Sequence, residues 1–284
     1  MATLIVLAIK ISIMLLVFSL GLETRRADLT YVLSRPSLLA RSFLSIHLIV
    51  PVATVLMVFV FAINPTVEIA LISLAVSPIP PLLPRKAAKL SDGSYGVGLL
   101  VVVALASIVI VPASVELLGA ASGRAVHVSF LAVAMVIAQT VLAPLAAGLL
   151  VGRFAAAAAE RIAGPIARFA PIVLILALLP ILYKLAPAML SLVGGGTLLA
   201  IAAFILVGIA VGHLLGGPEP ANRTVLAIAS SSRHPGVAVA ILGANFDNAK
   251  PATAAILLYL LVNAVVTIPY QVWRRHAYGD PAEA

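Results

Sequence analysis

The chain has no cysteine among its 284 residues. That excludes a scaffold held by disulfides and removes the thiolate from any metal site or nucleophile. Charge is almost as scarce: 10% of the residues are Asp, Glu, Lys or Arg, where a soluble domain carries about 25%. There are too few such side chains to cover a globular surface in water. Polar low-complexity sequence is also lacking, which excludes a disordered chain. No HExxH helix, nucleophile elbow, phosphate loop or pair of carboxylates within an apolar run occurs. The sequence therefore offers no catalytic set and no metal-ligand spacing, and an enzyme is not expected.

What is present is apolar: 63% hydrophobic residues and a mean hydropathy of +1.19. A membrane-crossing helix needs about 20 apolar residues. Nine segments meet that need: 2–22, 42–63, 66–84, 94–119, 126–152, 165–184, 188–216, 223–246 and 251–273. A transmembrane β-barrel would instead show weak, alternating segments of about ten residues. The expected fold is all-α and polytopic, a single integral membrane domain over 1–284 with about nine transmembrane helices. The first segment is read as a mature span and not a signal peptide, because its basic residues follow the apolar run and Lys10 interrupts it.

The net charge of +8 would suggest nucleic acid in a soluble protein; here it reads as topology, with the lipid bilayer as partner. Alternate loops collect Arg25, Arg26, Arg35 and Arg41; Arg85, Lys86 and Lys89; Arg153, Arg161 and Arg168; Arg223; and Arg274 with Arg275. That is 13 of the 18 basic residues, against three (Arg124, Lys184 and Lys250) in the opposite set. Cytoplasmic loops retain Lys and Arg. The expected location is thus the inner (plasma) membrane, with the N-terminus outside and the C-terminus in the cytoplasm.

Two spans are interrupted. The third contains Ser77-Pro78-Ile79-Pro80-Pro81 followed by Pro84, and the eighth contains Ser230-Ser231-Ser232-Arg233-His234-Pro235-Gly236. Proline removes a backbone donor and clashes with the preceding turn. Carbonyls freed at membrane depth are tolerated only inside protein or along a cavity. The two spans are five helices apart, so they cross in opposite directions. Interrupted helices at matching positions of inverted halves are the best sequence pointer to a transporter's binding site. The expected division is a truncated four-helix repeat over 1–119 and a five-helix repeat over 126–273.

Arg233 is the most informative residue. An Arg in mid-span costs about 2.5–3.5 kcal/mol on insertion scales and faces a cavity or a partner. No acidic residue sits mid-span: Glu68, Glu116 and Asp247 map near outer ends, and Glu23, Asp28, Asp92, Glu160, Glu219, Asp280 and Glu283 to inner loops or the tail. Arg233 either receives an anion or ties broken backbone together. His234 and, more weakly, His47 can titrate near neutral pH, although a satisfied structural histidine is the commoner case. Ser230, Ser231, Ser232 and Asn263 add hydroxyls and an amide. Gln139 reads as helix–helix glue, and Gly194-Gly195-Gly196 as the start of the seventh span.

Taken together, Phe18-Ser19-Leu20-Gly21-Leu22, the basic stretch before a Pro-containing second span, the Ser77-Pro78 break, the long span reaching Pro112 and the break through Arg233-His234-Pro235-Gly236 resemble the bile acid/sodium symporter superfamily, in its bacterial branch. The resemblance covers nearly the whole chain. It implies two crossing interrupted helices in a core domain, a panel domain moving against it, and carriage of organic anions, usually with sodium. Sodium-coupled members carry a Glu followed by a Gln-Asn pair in the second crossing helix. Here residues 229–234 hold no carboxylate, and Leu83-Pro84 stands where Ser-Asn is usual. Arg233 and Arg85 fall near those places. The coupling ion is thus left open between Na+, H+ and a fixed positive charge in the ion's stead. No cofactor is expected. The expected function is secondary transport of a small organic anion. The alternatives are a non-transporting receptor or regulatory subunit on the same fold, or an arsenite-type efflux permease, which the lack of cysteine disfavours.

The cysteine-free background makes the topology directly testable. A single cysteine at Ser122 is expected to label from outside in intact cells, and one at Ser34 only after permeabilisation. The reverse pattern would overturn the nine-span orientation.

Overall fold

The computed structural model describes residues 2–61, 63–88, 93–122 and 126–278. Lys89, Asp92, Arg124, Asp280 and Glu283, which entered the charge reading, lie outside them. Among the described residues there is no strand. In chain order the helices are α1 (Ala2–Glu23), α2 (Arg26–Thr30), α3 (Pro36–Phe43), α4 (Val50–Val60), α5 (Pro65–Val76), α6 (Leu83–Ala88), α7 (Ser94–Ser122), α8 (Phe130–Ile137), α9 (Ala143–Phe154), α10 (Ala156–Leu192), α11 (Thr197–Leu215), α12 (Pro220–Ser231), α13 (Pro235–Asn245) and α14 (Lys250–Tyr278). A π-helical stretch, Leu44–Ile49, joins α3 to α4, and another, Ala138–Leu142, joins α8 to α9.

Several prolines begin helices instead of breaking them. Pro36, Pro65, Pro220 and Pro235 each occupy the first helical position, where an N–H would be unsatisfied anyway. Asn64 caps α5 by accepting the Thr66 N–H at 2.9 Å, and Ser129 caps α8 through Ala132 N–H at 3.0 Å. Among the described residues, eight helices are long and apolar enough to cross a bilayer, counting α3–α4, α8–α9 and α12–α13 as one each. The third expected span falls short of that length because it is split: α5 has 12 residues, and residues 77–82 separate it from α6.

The expected boundary between the sixth and seventh spans is wrong. α10 runs 37 residues, about 55 Å at 1.5 Å per residue, with four prolines inside it. Lys184 therefore lies on a helix and not in a loop. Gly194, Gly195 and Gly196 form the turn after it, with φ of 130°, 48° and 82°. Those left-handed values favour glycine, and they explain a triplet that the apolar pattern alone had absorbed into a span.

The helices form two groups. α1 packs along α9 and α10; α3 to α7 and α11 to α14 pack mainly with one another. Small residues set both main seams. A methyl group on Gly21 would meet the backbone of Leu145 and Gly148, and one on Gly148 the backbone of Phe18 and Gly21. Gly208 and Gly212 on α11, with Gly216 just past its end, lie against the backbone of Ser230–Ser231, Leu226–Ala227 and Asn222–Arg223. Between membrane helices, where lipid is as apolar as the side chains, such close backbone approach drives association.

Each half of one broken helix packs against the opposite half of the other, α5 on α13 and α6 on α12. The two therefore run in opposite directions. The second broken helix is the most enclosed span, with 78% of its apolar window buried against 11% for α10. The most polar span thus sits deepest in protein.

Gly212→Val should prevent the α11–α12 seam from closing and leave little folded protein. Gly164→Ala, in α10 with open space around it, should leave stability unchanged or raise it by about 0.5–1 kcal/mol. Thermal unfolding in detergent measures both, and a tolerated Gly212→Val would refute the seam.

Candidate functional site

The two breaks meet. The His234 N–H donates to the Pro78 carbonyl at 2.7 Å, joining positions more than 150 residues apart. Arg233 Nη1 donates to the Ser77 carbonyl at 3.3 Å and to the Ile46 carbonyl at 3.0 Å. Each accepting carbonyl was released by local sequence. α5 ends at Val76 because the prolines that follow cannot continue its ladder, leaving Ser77 extended at φ −72°, ψ 150°. Pro51 has no N–H to return to the preceding turn. In the π-helical stretch before it, the Val50 N–H reaches back to Ser45, and the Ile46 carbonyl is left for Arg233.

The end of α12 is closed by side chains from α14. The Tyr259 hydroxyl donates to the Ser231 carbonyl at 2.8 Å and accepts the Arg233 N–H at 2.9 Å. Asn263 Nδ2 donates to the same Ser231 carbonyl at 2.9 Å. The Ser230 hydroxyl pairs with that of Ser45 at 2.6 Å. Ser231 Oγ returns to Ile228 O, Ser77 Oγ to Ser73 O, and the Ser232 N–H goes to the Ile228 and Ala229 carbonyls.

His234 is fully engaged. Its Nδ1 accepts the Gly236 and Val237 N–H groups at 3.1 and 3.4 Å, capping α13. Its Nε2 lies 3.2 Å from Thr140 Oγ1, whose own proton goes to Val136 O at 2.7 Å. The network thus assigns a neutral ring with the proton on Nε2. A second proton would displace the helix cap.

Electrostatically the crossing favours positive charge. The C-terminal ends of α5 and α12, each carrying the negative end of a helix dipole, converge on it, and Arg233 fills it. Arg233 is 1% exposed, and neither ion pair among the described residues involves it. Its Nε and Nη2 are buried without any hydrogen-bond partner, as is Nε2 of His47.

Most expected site residues gather here: Ser77, Pro78, Ser230, Ser231, Ser232, Arg233, His234 and Asn263, with Pro235 opening α13 and His47 one residue beyond the Ile46 carbonyl. Pro81 is buried and Pro80 half-buried in the first break. Arg85 departs from the expectation. Its guanidinium turns onto α1, with Nε on the Leu16 carbonyl at 3.1 Å, Nη2 on Ser19 Oγ, and Glu23 at 4.0 Å. It lies on α6, beyond the break, where α1 supplies the nearest acceptors. Gln139 is exposed; its neighbour Thr140 makes the half-buried contact to His234 instead, so the amide is not interhelical glue. Ser45, Thr140 and Tyr259 complete the site. Tyr259 is signalled in the sequence by its place one turn before Asn263 on the same helix face; Ser45 and Thr140 carry no comparable signal.

Tyr259→Phe strands the buried Arg233 N–H and should cost about 1–3 kcal/mol. Asn263→Ala should cost less, since Tyr259 keeps the Ser231 carbonyl satisfied. Equal losses in thermal unfolding would refute this division of labour.

The family model described as Sodium Bile acid symporter family matches residues 10–195, about two thirds of the chain, including the first break but not the second. No curated protein matches the chain. The chain belongs to the sodium bile acid symporter family.

Proposed function

We propose that this member of the sodium bile acid symporter family is a secondary active transporter of a small organic anion, and that Arg233 supplies a permanent positive charge where relatives place a mobile cation. The observation that carries this reading is a guanidinium buried to 1% exposure between two backbone carbonyls, with no acidic partner among the described residues. Backbone carbonyls and half-helix C-termini are the groups that coordinate Na+ in transporters with broken helices. Here the same kind of locus holds a side chain, so sodium has no vacant place at it.

A buried charge must be compensated. Two carbonyl dipoles do this in part, and a bound anion would complete it. Three cavities lie away from the crossing: one of about 330 Å³ beside Arg35 and Arg41, one of about 450 Å³ between α1 and α10 and one of about 300 Å³ beside Gly195 and Gly196. Arg233 is shut off from solvent in this conformation, and access requires the α1, α9 and α10 group to move against the rest. In this reading the repeats are 1–119 and 126–273, and the N-terminus faces outward.

Calorimetry on the purified protein with acetate, pyruvate and benzoate tests the proposal. Two charge-assisted hydrogen bonds contribute about 1.5–3 kcal/mol each. Arg233→Ala should therefore weaken binding at least about a hundredfold. Arg233→Lys keeps the charge but loses the planar fork, and should weaken it by about tenfold or more while preserving the fold. Replacing sodium with choline should change affinity little. Strong sodium dependence, or unchanged affinity in a folded Arg233→Lys variant, would overturn the fixed-cation reading.

A further inference from the structure

The two unpartnered atoms of Arg233 are a specific pair. Nη1 is committed to the Ile46 and Ser77 carbonyls, which leaves Nε and Nη2. These lie on one edge of the planar guanidinium, with parallel N–H bonds, and they form the fork that grips a carboxylate through two oxygens. Buried donors are normally satisfied, and each exception needs a cause. A third orphan belongs to the same place: Nε2 of His47 is buried without a partner. His47 follows Ile46, whose carbonyl holds the same guanidinium, and Arg233 is the charged group that acts on it electrostatically.

Building on the anion-transport reading, we infer that a carboxylate binds between the Arg233 Nε/Nη2 edge and His47 Nε2, and that His47 takes up a proton as the anion arrives. With the fork empty, a proton on His47 faces the guanidinium, cation against cation, in a medium that screens poorly. With a carboxylate in between, each cation faces an anion. An imidazolium gives the oxygen both an Nε2–H donor and a full positive charge, where the neutral ring offers at most the donor. Anion and proton thus favour each other's binding, and by linkage the effect is reciprocal. The proton comes from water and leaves with the anion, which makes the pair a unit of anion–proton symport without sodium.

Other titratable groups do not compete. On the elements packed against the stretch that carries His47, Arg41 of α3 is exposed. His213 of α11 is paired with Tyr270 at 2.9 Å, and Arg223 of α12 is turned to the Gly217 carbonyl. His234 is occupied on both nitrogens.

The test is calorimetry of acetate, pyruvate and benzoate binding to the full-length protein in sodium-free buffers of differing ionisation heat, at several pH values. Wild type should take up close to one proton per anion, and its affinity should rise as pH falls, by on the order of tenfold per unit. His47→Gln should still bind, with no proton uptake and a flat pH profile. His234→Asn, which can still cap α13, should keep the uptake. Binding to wild type without proton uptake would overturn the inference and leave the anion site standing, and that result needs no variant to fold. Uptake persisting in His47→Gln would likewise overturn it. No binding of any of the three anions would overturn both the inference and the transport reading beneath it.

Discussion

The structure depends on one constraint: a backbone group freed inside a membrane protein has no water to turn to. Prolines interrupt α5–α6 and α12–α13, and Pro51 releases a carbonyl before α4. Each interruption is answered by another. His234 N–H closes on Pro78, Arg233 on Ser77 and Ile46, and Tyr259 with Asn263 on Ser231. Remove any one break and its partner becomes a buried orphan costing about 1–3 kcal/mol. The freed carbonyls are therefore answered within the crossing, which accounts for two otherwise unfavourable segments lying together.

The rest of the packing encloses the crossing. Gly208, Gly212 and Gly216 bring α11 and the residue that follows it onto the backbone of α12, which closes that side of the most polar helix to lipid. Two π-helical stretches flank the site. One directs the Ile46 carbonyl and Ser45 inward, the other Thr140. Such insertions recur at functional positions because one extra residue per turn re-aims the side chains that follow. The Thr140–His234 bond also joins the α8–α9 helix to the crossing, so any movement between the two helix groups must break or re-form it.

Electrostatics then separates the histidines. Both lie beside Arg233, yet His234 has each nitrogen engaged, whereas Nε2 of His47 and the Nε/Nη2 edge of the guanidinium have no partner. A satisfied group holds structure and an orphaned one is available for a ligand.

The chain alone determined the fold class, both breaks and the buried cation. These follow from composition, from apolar run length and from proline chemistry, all of which are local and one-dimensional. The second break, outside the residues matched by the family model, was as legible as the first because an Arg within an apolar run needs no homologue to be conspicuous. Only the tertiary structure decided which acceptors Arg233 uses, that Arg85 belongs to α1, that Thr140 and not Gln139 faces inward, and that three glycines form a turn instead of opening a span. Those are questions of helix rotation and of which carbonyl lies nearest. A π-helical stretch or a left-handed turn resets the rotation by an angle that apolar periodicity does not record, and the partners come from distant segments, 187 and 156 residues away for the two acceptors of Arg233. The sequence shows that a charge must be answered; the packing of distant helices determines by what.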